Sequence, residues 1–145
     1  MDVLVDLDGT LADCTHRLHH IRGDRRKNWD AFFAGCRLDE PNDVVVEMVE
    51  ALKKEHRVIY CSGRPEKTRK DTEAWLKEHL GEAHPKLYMR GDRDRRADDI
   101  VKRELLLRVR EDGYDPKLAI NDRKRVVDMW RAEGLVCAQV AEGDF

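Results

Sequence analysis

Four short stretches of this 145-residue chain bring together residue types that could do chemistry: Asp6-Leu7-Asp8-Gly9-Thr10, Ser62-Gly63-Arg64-Pro65, the pair Asp98 and Lys102, and Asn121-Asp122-Arg123. Each alone has a plainer reading. An isolated Asp-x-Asp-Gly is a turn with solubilising acids, and Gly with Pro marks a turn. An Asp and a Lys four apart on a helix make a surface ion pair, and Asn-Asp ahead of a helix caps it. Taken together they say more. Ser62 and Arg64 suit phosphate oxygens, for which arginine's planar fork is well matched. If Asp6, Asp8 and Asp122 converge, two like charges about 4 Å apart repel by roughly 4 kcal/mol at an effective dielectric near 20. Something positive must then sit among them. A hard divalent cation bound by carboxylate and backbone oxygens with several waters fits, and Mg2+ is the obvious candidate. Lys102 and Arg64 would then complement a phosphate rather than the metal.

The elements that must hold these residues read clearly. Short apolar runs predict strands at Val3-Leu4-Val5, Val58 to Cys61, Lys86 to Met89, Leu118 to Ile120 and Leu135 to Val140. Amphipathic stretches fill the gaps. Val44, Val45, Met48, Val49 and Leu52 recur at helical spacing behind the Pro41-Asn42 start signal. Thr68 to Leu80 carries Trp75, Leu76 and Leu80 on one face with Gly81 as a stop. Asp98 to Arg110 shows Val101, Leu105 and Val109, and Val126, Val127 and Trp130 mark a last short helix.

Strand and helix alternating at this spacing imply an α/β three-layer sandwich, a parallel Rossmann-like sheet with helices on both faces. Ligands in such folds bind beyond the carboxyl ends of the strands, which is where all four stretches fall. Residues from about 13 to 40 break the pattern. Rich in His and Arg, with Trp29, Phe32 and Phe33 as a small apolar patch, they predict a small helical cap inserted above the first strand. The whole of 1–145 reads as one domain.

Composition narrows the function classes. Hydrophobic residues make up 41% of the chain, enough for a core, and 40% is charged. Lys and Arg total 28 against 30 Asp and Glu, so no global field advertises a nucleic-acid binder. No apolar run approaches the roughly 20 residues that span a bilayer, and the start lacks the pattern of a signal peptide, so no membrane role and a cytoplasmic location are expected. Cys14, Cys36, Cys61 and Cys137 form no C-x-x-C pair. They read as reduced thiols, with Cys61 and Cys137 buried in strands. There is no G-x-x-x-x-G-K-[ST] loop to cradle a nucleoside triphosphate.

The four-part arrangement resembles the haloacid dehalogenase-like (HAD) phosphohydrolase superfamily, whose pattern is D-x-D-G-T, a Ser or Thr after the second strand, a later Lys, and acids near the end. A closer likeness lies in Tyr60-Cys61-Ser62-Gly63-Arg64, in Asp98-Asp99-Ile100-Val101-Lys102, and in Arg123 to Arg131 with the ending Gln139 to Phe145. Together these resemble the 3'-phosphatase domain of phage-type polynucleotide kinase-phosphatases. That resemblance implies Asp6 as a nucleophile forming an aspartyl-phosphate, and Asp8 as the acid that protonates the leaving oxygen and then activates water. It implies Thr10, Arg17, Ser62, Arg64 and Lys102 on the phosphate or substrate, with Asp98 orienting Lys102. Asp6, the backbone carbonyl of Asp8, and Asp122 would ligate Mg2+. One departure stands out: the fourth motif usually carries two adjacent acids, and here the first is Asn121.

The expected activity is therefore Mg2+-dependent removal of 3'-terminal phosphates from DNA or RNA, in the setting of nucleic-acid repair. Two alternatives remain open: a HAD phosphatase of nucleotides or other small phosphorylated metabolites, and a non-catalytic binder of phosphorylated ends, which Asn121 makes conceivable. Arg22, Arg25, Arg26 and Lys27, and Arg90, Arg93, Arg95 and Arg96, suit backbone phosphates or form solvated faces interrupted by Asp24, Asp92 and Asp94. Expected partners are 3'-phosphorylated ends and a separate kinase or ligase of end repair.

Overall fold

A computed structural model describes residues 1–143; Asp144 and Phe145, the last two residues of the sequence likeness, lie outside the described residues. The elements in chain order are β1 (Asp2–Val5), β2 (Ala12–Asp13), α1 (Trp29–Ala34), β3 (Glu40–Pro41), α2 (Asp43–Lys53), β4 (Arg57–Pro65), α3 (Arg69–Leu80), β5 (Leu87–Arg90), α4 (Asp98–Glu111), β6 (Pro116–Asn121), α5 (Lys124–Ala132) and β7 (Val136–Gln139). The five longer strands form one parallel sheet in the order β5-β4-β1-β6-β7. Period-two alternation divides the core. Val3, Val5, Val58, Tyr60 and Ile120 face α2 and α3, packing with Val49, Trp75, Leu76 and Leu80. Leu4, Ile59, Cys61, Ala119 and Cys137 face α4 and α5, packing with Val101, Leu105, Val126 and Trp130. This is the expected three-layer α/β sandwich, and all four cysteines are buried free thiols.

Because β1 is central and the chain continues first on its β4 side and later on its β6 side, the strand order reverses at its carboxyl end, the place where open α/β sheets bind ligands. Gly9, at φ 81°, makes the sharp exit beyond Asp8. The cap begins on the two-residue antiparallel stem Ala12↔Pro41 and Asp13↔Glu40. Between these strands, 3-10 turns at Thr15–His20 and Cys36–Leu38 flank α1. Cys14, Leu18, Ile21 and Phe32 form a miniature core with Trp29 and Phe33 against it.

One boundary differs in a way that matters for the site. The second long strand does not stop at Cys61 but runs to Pro65, because pairing with β5 lapses after Ser62↔Met89 and resumes at Pro65↔Arg90. Gly63 and Arg64 bulge out of the ladder between these pairs, and such a bulge re-aims side chains beside a site. The Arg64 backbone N–H, freed from the ladder, donates to Ser62 Oγ at 3.1 Å.

Trp75 ties the main core to the cap stem: fully buried, it donates from Nε1 to the Asp39 carbonyl at 2.8 Å. Trp75→Ala is expected to lower unfolding stability by about 3–5 kcal/mol. Trp75→Phe, which keeps most of the bulk but abandons that carbonyl, should cost about 1–3 kcal/mol. Urea denaturation followed by circular dichroism checks both.

Candidate active site

Asp6 follows directly on β1, its backbone N–H bonded to the Ile120 carbonyl at 3.0 Å, so the sheet itself fixes where the carboxylate stands. Lys102, one turn into α4, reaches across beneath the strand ends and donates to Asp6 Oδ1 at 2.7 Å. The same ammonium lies 3.3 Å from Asn121 Oδ1 and 3.5 Å from Asp98 Oδ2. Burial works to lower the Lys102 pKa, but the Asp6 and Asp98 charges outweigh it and hold it well above the usual lysine value. The pair Asp98 and Lys102 is thus not a surface pair, since Lys102 is only 1% exposed. Gly63 permits this arrangement: a Cβ there would stand 2.2 Å from Asp98 Oδ1.

Asp122 stands just beyond β6, and it is not the cap of α5, which Arg123 begins without a side-chain cap. The Thr10 hydroxyl lies between the two acids, 3.2 Å from Asp6 Oδ2 and 3.1 Å from Asp122 Oδ1. One hydroxyl proton serves only one acceptor at a time. Asp122 Oδ2 is buried with no hydrogen-bond partner. Burial first, and then the neighbouring Asp6 charge, push the Asp122 carboxyl up to about 8. An orphaned carboxylate oxygen beside a second carboxylate is the donor set a hard cation would satisfy. No cluster of three or more His, Cys, Asp or Glu among the described residues makes a complete cage. The fit is therefore to an ion held by Asp6, Asp122 and backbone oxygen that keeps several waters.

Asp8 has a separate environment. Its Oδ1 accepts from Arg17 Nη2 at 2.6 Å and from Arg64 Nη2 and Nε at 2.7 and 3.0 Å. Burial pushes its pKa up, but the two guanidiniums outweigh this and hold Asp8 well below the usual carboxylate range. Both arginines are fully enclosed, and both also grip Asp39: Arg17 Nε at 2.7 Å, Arg17 Nη2, and Arg64 Nη2 at 3.1 Å. Remaining donors go to the Phe32 carbonyl and to Thr72 Oγ1. His16 Nε2 lies 2.7 Å from Asp39 Oδ1. The residue pattern gave no hint of Asp39, which sits in an ordinary acidic stretch beside Glu40 and joins the site only when the cap stem closes.

A cleft of about 490 Å3 opens over these groups and reaches Asp6, Asp8, Gly63, Asp98 and Asp122. Thr10, Arg17, Ser62, Arg64 and Lys102 lie behind its floor, each at most 1% exposed. The structure thus brings every predicted site residue to one end of the sheet, yet places Arg17 and Arg64 on carboxylates and Thr10 between two of them. Of the basic residues singled out in sequence, Lys27, Arg90, Arg95 and Arg96 line the cleft. Arg90 is committed to the Gly63, Asp94 and Arg96 carbonyls.

A parallel sheet whose order reverses at β1, an acid at that strand's end and a buried lysine gripping it define a HAD-type phosphatase domain. The chain belongs to the family described as the polynucleotide kinase PNKP phosphatase domain, whose model matches residues 1–145. It is similar to a chain in the structure of a Pnkp1/Rnl/Hen1 complex, with 34% identity, a TM-score of 0.80, and coverage of 99% of this chain and 47% of that one. A chain in the structure of the Pnkp1/Rnl/Hen1 RNA repair complex matches at 34% identity and a TM-score of 0.79, over 99% and 43% respectively. This chain spans less than half the length of either.

Arg64→Met is expected to cost about 3–5 kcal/mol at neutral pH, because it strands Asp8 and Asp39 without one of their two buried cations. With its folded pKa depressed, Asp8 contributes stability that is complete above the unfolded value near 3.9 and is lost as pH falls below it. Acid titration of the folded state should therefore show the wild-type advantage over Arg64→Met shrinking as pH drops below about 4.

Proposed function

We propose that this domain is a Mg2+-dependent phosphomonoesterase that removes 3'-terminal phosphates from DNA or RNA through an aspartyl-phosphate on Asp6. The observation that carries it is the Lys102–Asp6 contact at 2.7 Å beside the unpartnered Asp122 Oδ2, at the floor of an open cleft. Asp6 attacks phosphorus, and the bond from phosphorus to the 3' oxygen breaks as that oxygen takes a proton from Asp8. In the second step Asp8 takes a proton from water, which attacks the phosphorus of the acyl-phosphate and restores Asp6. Lys102 holds the attacking carboxylate in position, and the Ser62 hydroxyl, accepting from the Arg64 N–H, keeps its proton for a phosphoryl oxygen. Asp6, the Asp8 backbone carbonyl and Asp122 are the groups that would hold Mg2+, which when bound neutralises charge on the transferring phosphoryl group.

Arg17 and Arg64 favour one of the two roles of Asp8 over the other. Their grip favours the carboxylate, the form the second step needs, and opposes the acid, the form the first step needs. A phosphate monoester arriving as its monoanion would carry the proton that Asp8 needs for the first step, and the proton taken from water in the second step recharges it for the next turnover. Asp98 faces the same Lys102 ammonium at 3.5 Å and orients it, and residues from about 13 to 40 act as a fixed cap rather than a large lid, leaving room for a polymer end. The likeness to a chain that assembles with Rnl and Hen1 supports a place in end repair beside a ligase, with any 5'-kinase step carried outside these residues.

Purified protein is expected to release phosphate from 3'-phosphorylated DNA and RNA oligonucleotides only when Mg2+ is present, and Asp6→Asn should reduce the rate by at least about a thousandfold. Equal or faster turnover of nucleoside monophosphates would replace the polynucleotide reading with that of a small-metabolite phosphatase.

A further inference from the structure

The cleft floor suits a phosphate, but its walls carry chemistry that a phosphate alone does not need. Trp29, Phe32 and Phe33 of α1 line it together with Lys27 from the cap, Arg95, Arg96 and Arg123 from the loops after β5 and β6, and Arg125 from the first turn of α5. The three rings form one packed unit. Trp29 and Phe33 are stacked at 5.8 Å and 26°, and Phe32 meets both edge-on at 5.7 and 5.2 Å. Phe32 is buried under the Arg17 guanidinium, whereas Trp29 and Phe33 stay half-exposed on the cleft side of the cap core. The acids on these walls, away from the floor, are already engaged: Asp30 pairs with Lys67 at 2.7 Å, Asp94 with Arg96 at 2.7 Å, and Asp92 accepts the Lys67 N–H. Arg95, by contrast, has no ion-pair partner within 4.0 Å among the described residues.

A rigid aromatic ledge beside cations, above a phosphate-transfer centre, is the combination by which proteins hold single-stranded nucleic acid. We infer that the Trp29–Phe33 ledge is a base-stacking platform: the terminal base of a single-stranded polynucleotide lies on it while the adjacent 3'-phosphate reaches Asp6. This rests on the phosphatase reading above and adds to it which part of the substrate gives affinity. A base inside a duplex has both faces covered by its neighbours, so the ledge selects ends whose last nucleotide is unpaired. Every base has a π-face, so the selection is indifferent to sequence. Arg95 and Arg125 follow the backbone 5' of that nucleotide, which is how a chain of net charge −2 holds a polyanion at its end.

The test compares three substrates in matched DNA and RNA series: a single-stranded oligonucleotide with a 3'-phosphate, the same oligonucleotide with the terminal base deleted to an abasic 3'-phosphate, and an alkyl phosphate with no base. Trp29→Ala should lower kcat/KM on the first by about five- to 150-fold, the equivalent of about 1–3 kcal/mol of stacking. On the abasic oligonucleotide and the alkyl phosphate it should change little, and Trp29→Tyr should restore most of the loss. Trp75 and Trp130 are fully buried, so tryptophan fluorescence also reports on Trp29. An intact single-stranded end should quench it, and an abasic end should not. Equal losses of kcat/KM on all three substrates, or quenching that ignores the missing base, would overturn the stacking platform. Absence of phosphate release from every substrate would instead overturn the phosphatase reading, and the fluorescence titration would still decide the platform. Loss confined to the DNA or to the RNA series would identify which polymer the ledge serves.

Discussion

Charge balance in a nearly dry space governs this end of the sheet. Asp6, Asp8, Asp39 and Asp122 are gathered where the strands end, and Lys102, Arg17 and Arg64 are buried among them. An unpaired charge there is costly, so each anion needs a named cation. Asp6 has Lys102, and Asp8 and Asp39 share the two arginines. Asp122 is left over, with a hydroxyl on one oxygen and nothing on the other. That unmatched carboxyl lies beside Asp6, and burial together with the Asp6 charge raises its pKa because no cation among the described residues pairs with it. The site is incomplete by design of its partners, not by a missing element of the fold.

The same balance fastens the cap. Arg17 comes from the cap, Arg64 from the bulge of β4, Asp8 from the exit of β1, and Asp39 from the cap stem. These four elements meet in one ion cluster, so the position of α1 over the cleft depends on buried electrostatics as well as on its own small core. Buried ion clusters add little net stability but are strongly destabilising when broken, which suits a part whose placement matters more than its strength. Asp39 is the hinge pin of this arrangement: its carbonyl is held by Trp75 from α3 and its carboxylate by both arginines.

Much of this was legible in the residues. Apolar runs located five strands because the central ones are buried on both faces and the edge strands β5 and β7 still bury residues such as Leu87, Met89 and Cys137, and the chemical motifs were found because open α/β sheets gather the residues that follow each strand. What could not be read were interactions set by tertiary closure. The extension of β4 to Pro65 follows from pairing that lapses and resumes across two residues, which no local pattern encodes. Asp39 and Thr72 carry no motif, and they matter only because Arg64 turns toward them instead of outward. Arginine's fork fits carboxylates as well as phosphates, so residue type alone could not decide which one Arg17 and Arg64 would hold.

Asn121 shows how far one residue's chemistry can be inferred from its neighbours. Against the pattern of two adjacent acids it reads as a lost metal ligand, but its Oδ1 points at Lys102 Nζ and at the Trp130 indole N–H, at 3.3 and 3.4 Å, under the sheet end rather than over it. An acceptor is what those two donors require, and the amide supplies one without charge. An aspartate in the same place would put another anion within reach of Lys102, competing with Asp6 for the only lysine that holds it, and would raise the repulsion already borne by Asp122. The amide's cost is its Nδ2, buried without an acceptor, a penalty of about 1–3 kcal/mol. That cost leaves the Lys102–Asp6 pair undisturbed, so the amide at position 121 acts on the lysine-positioning side of this strand end and adds no charge beside Asp6 and Asp122.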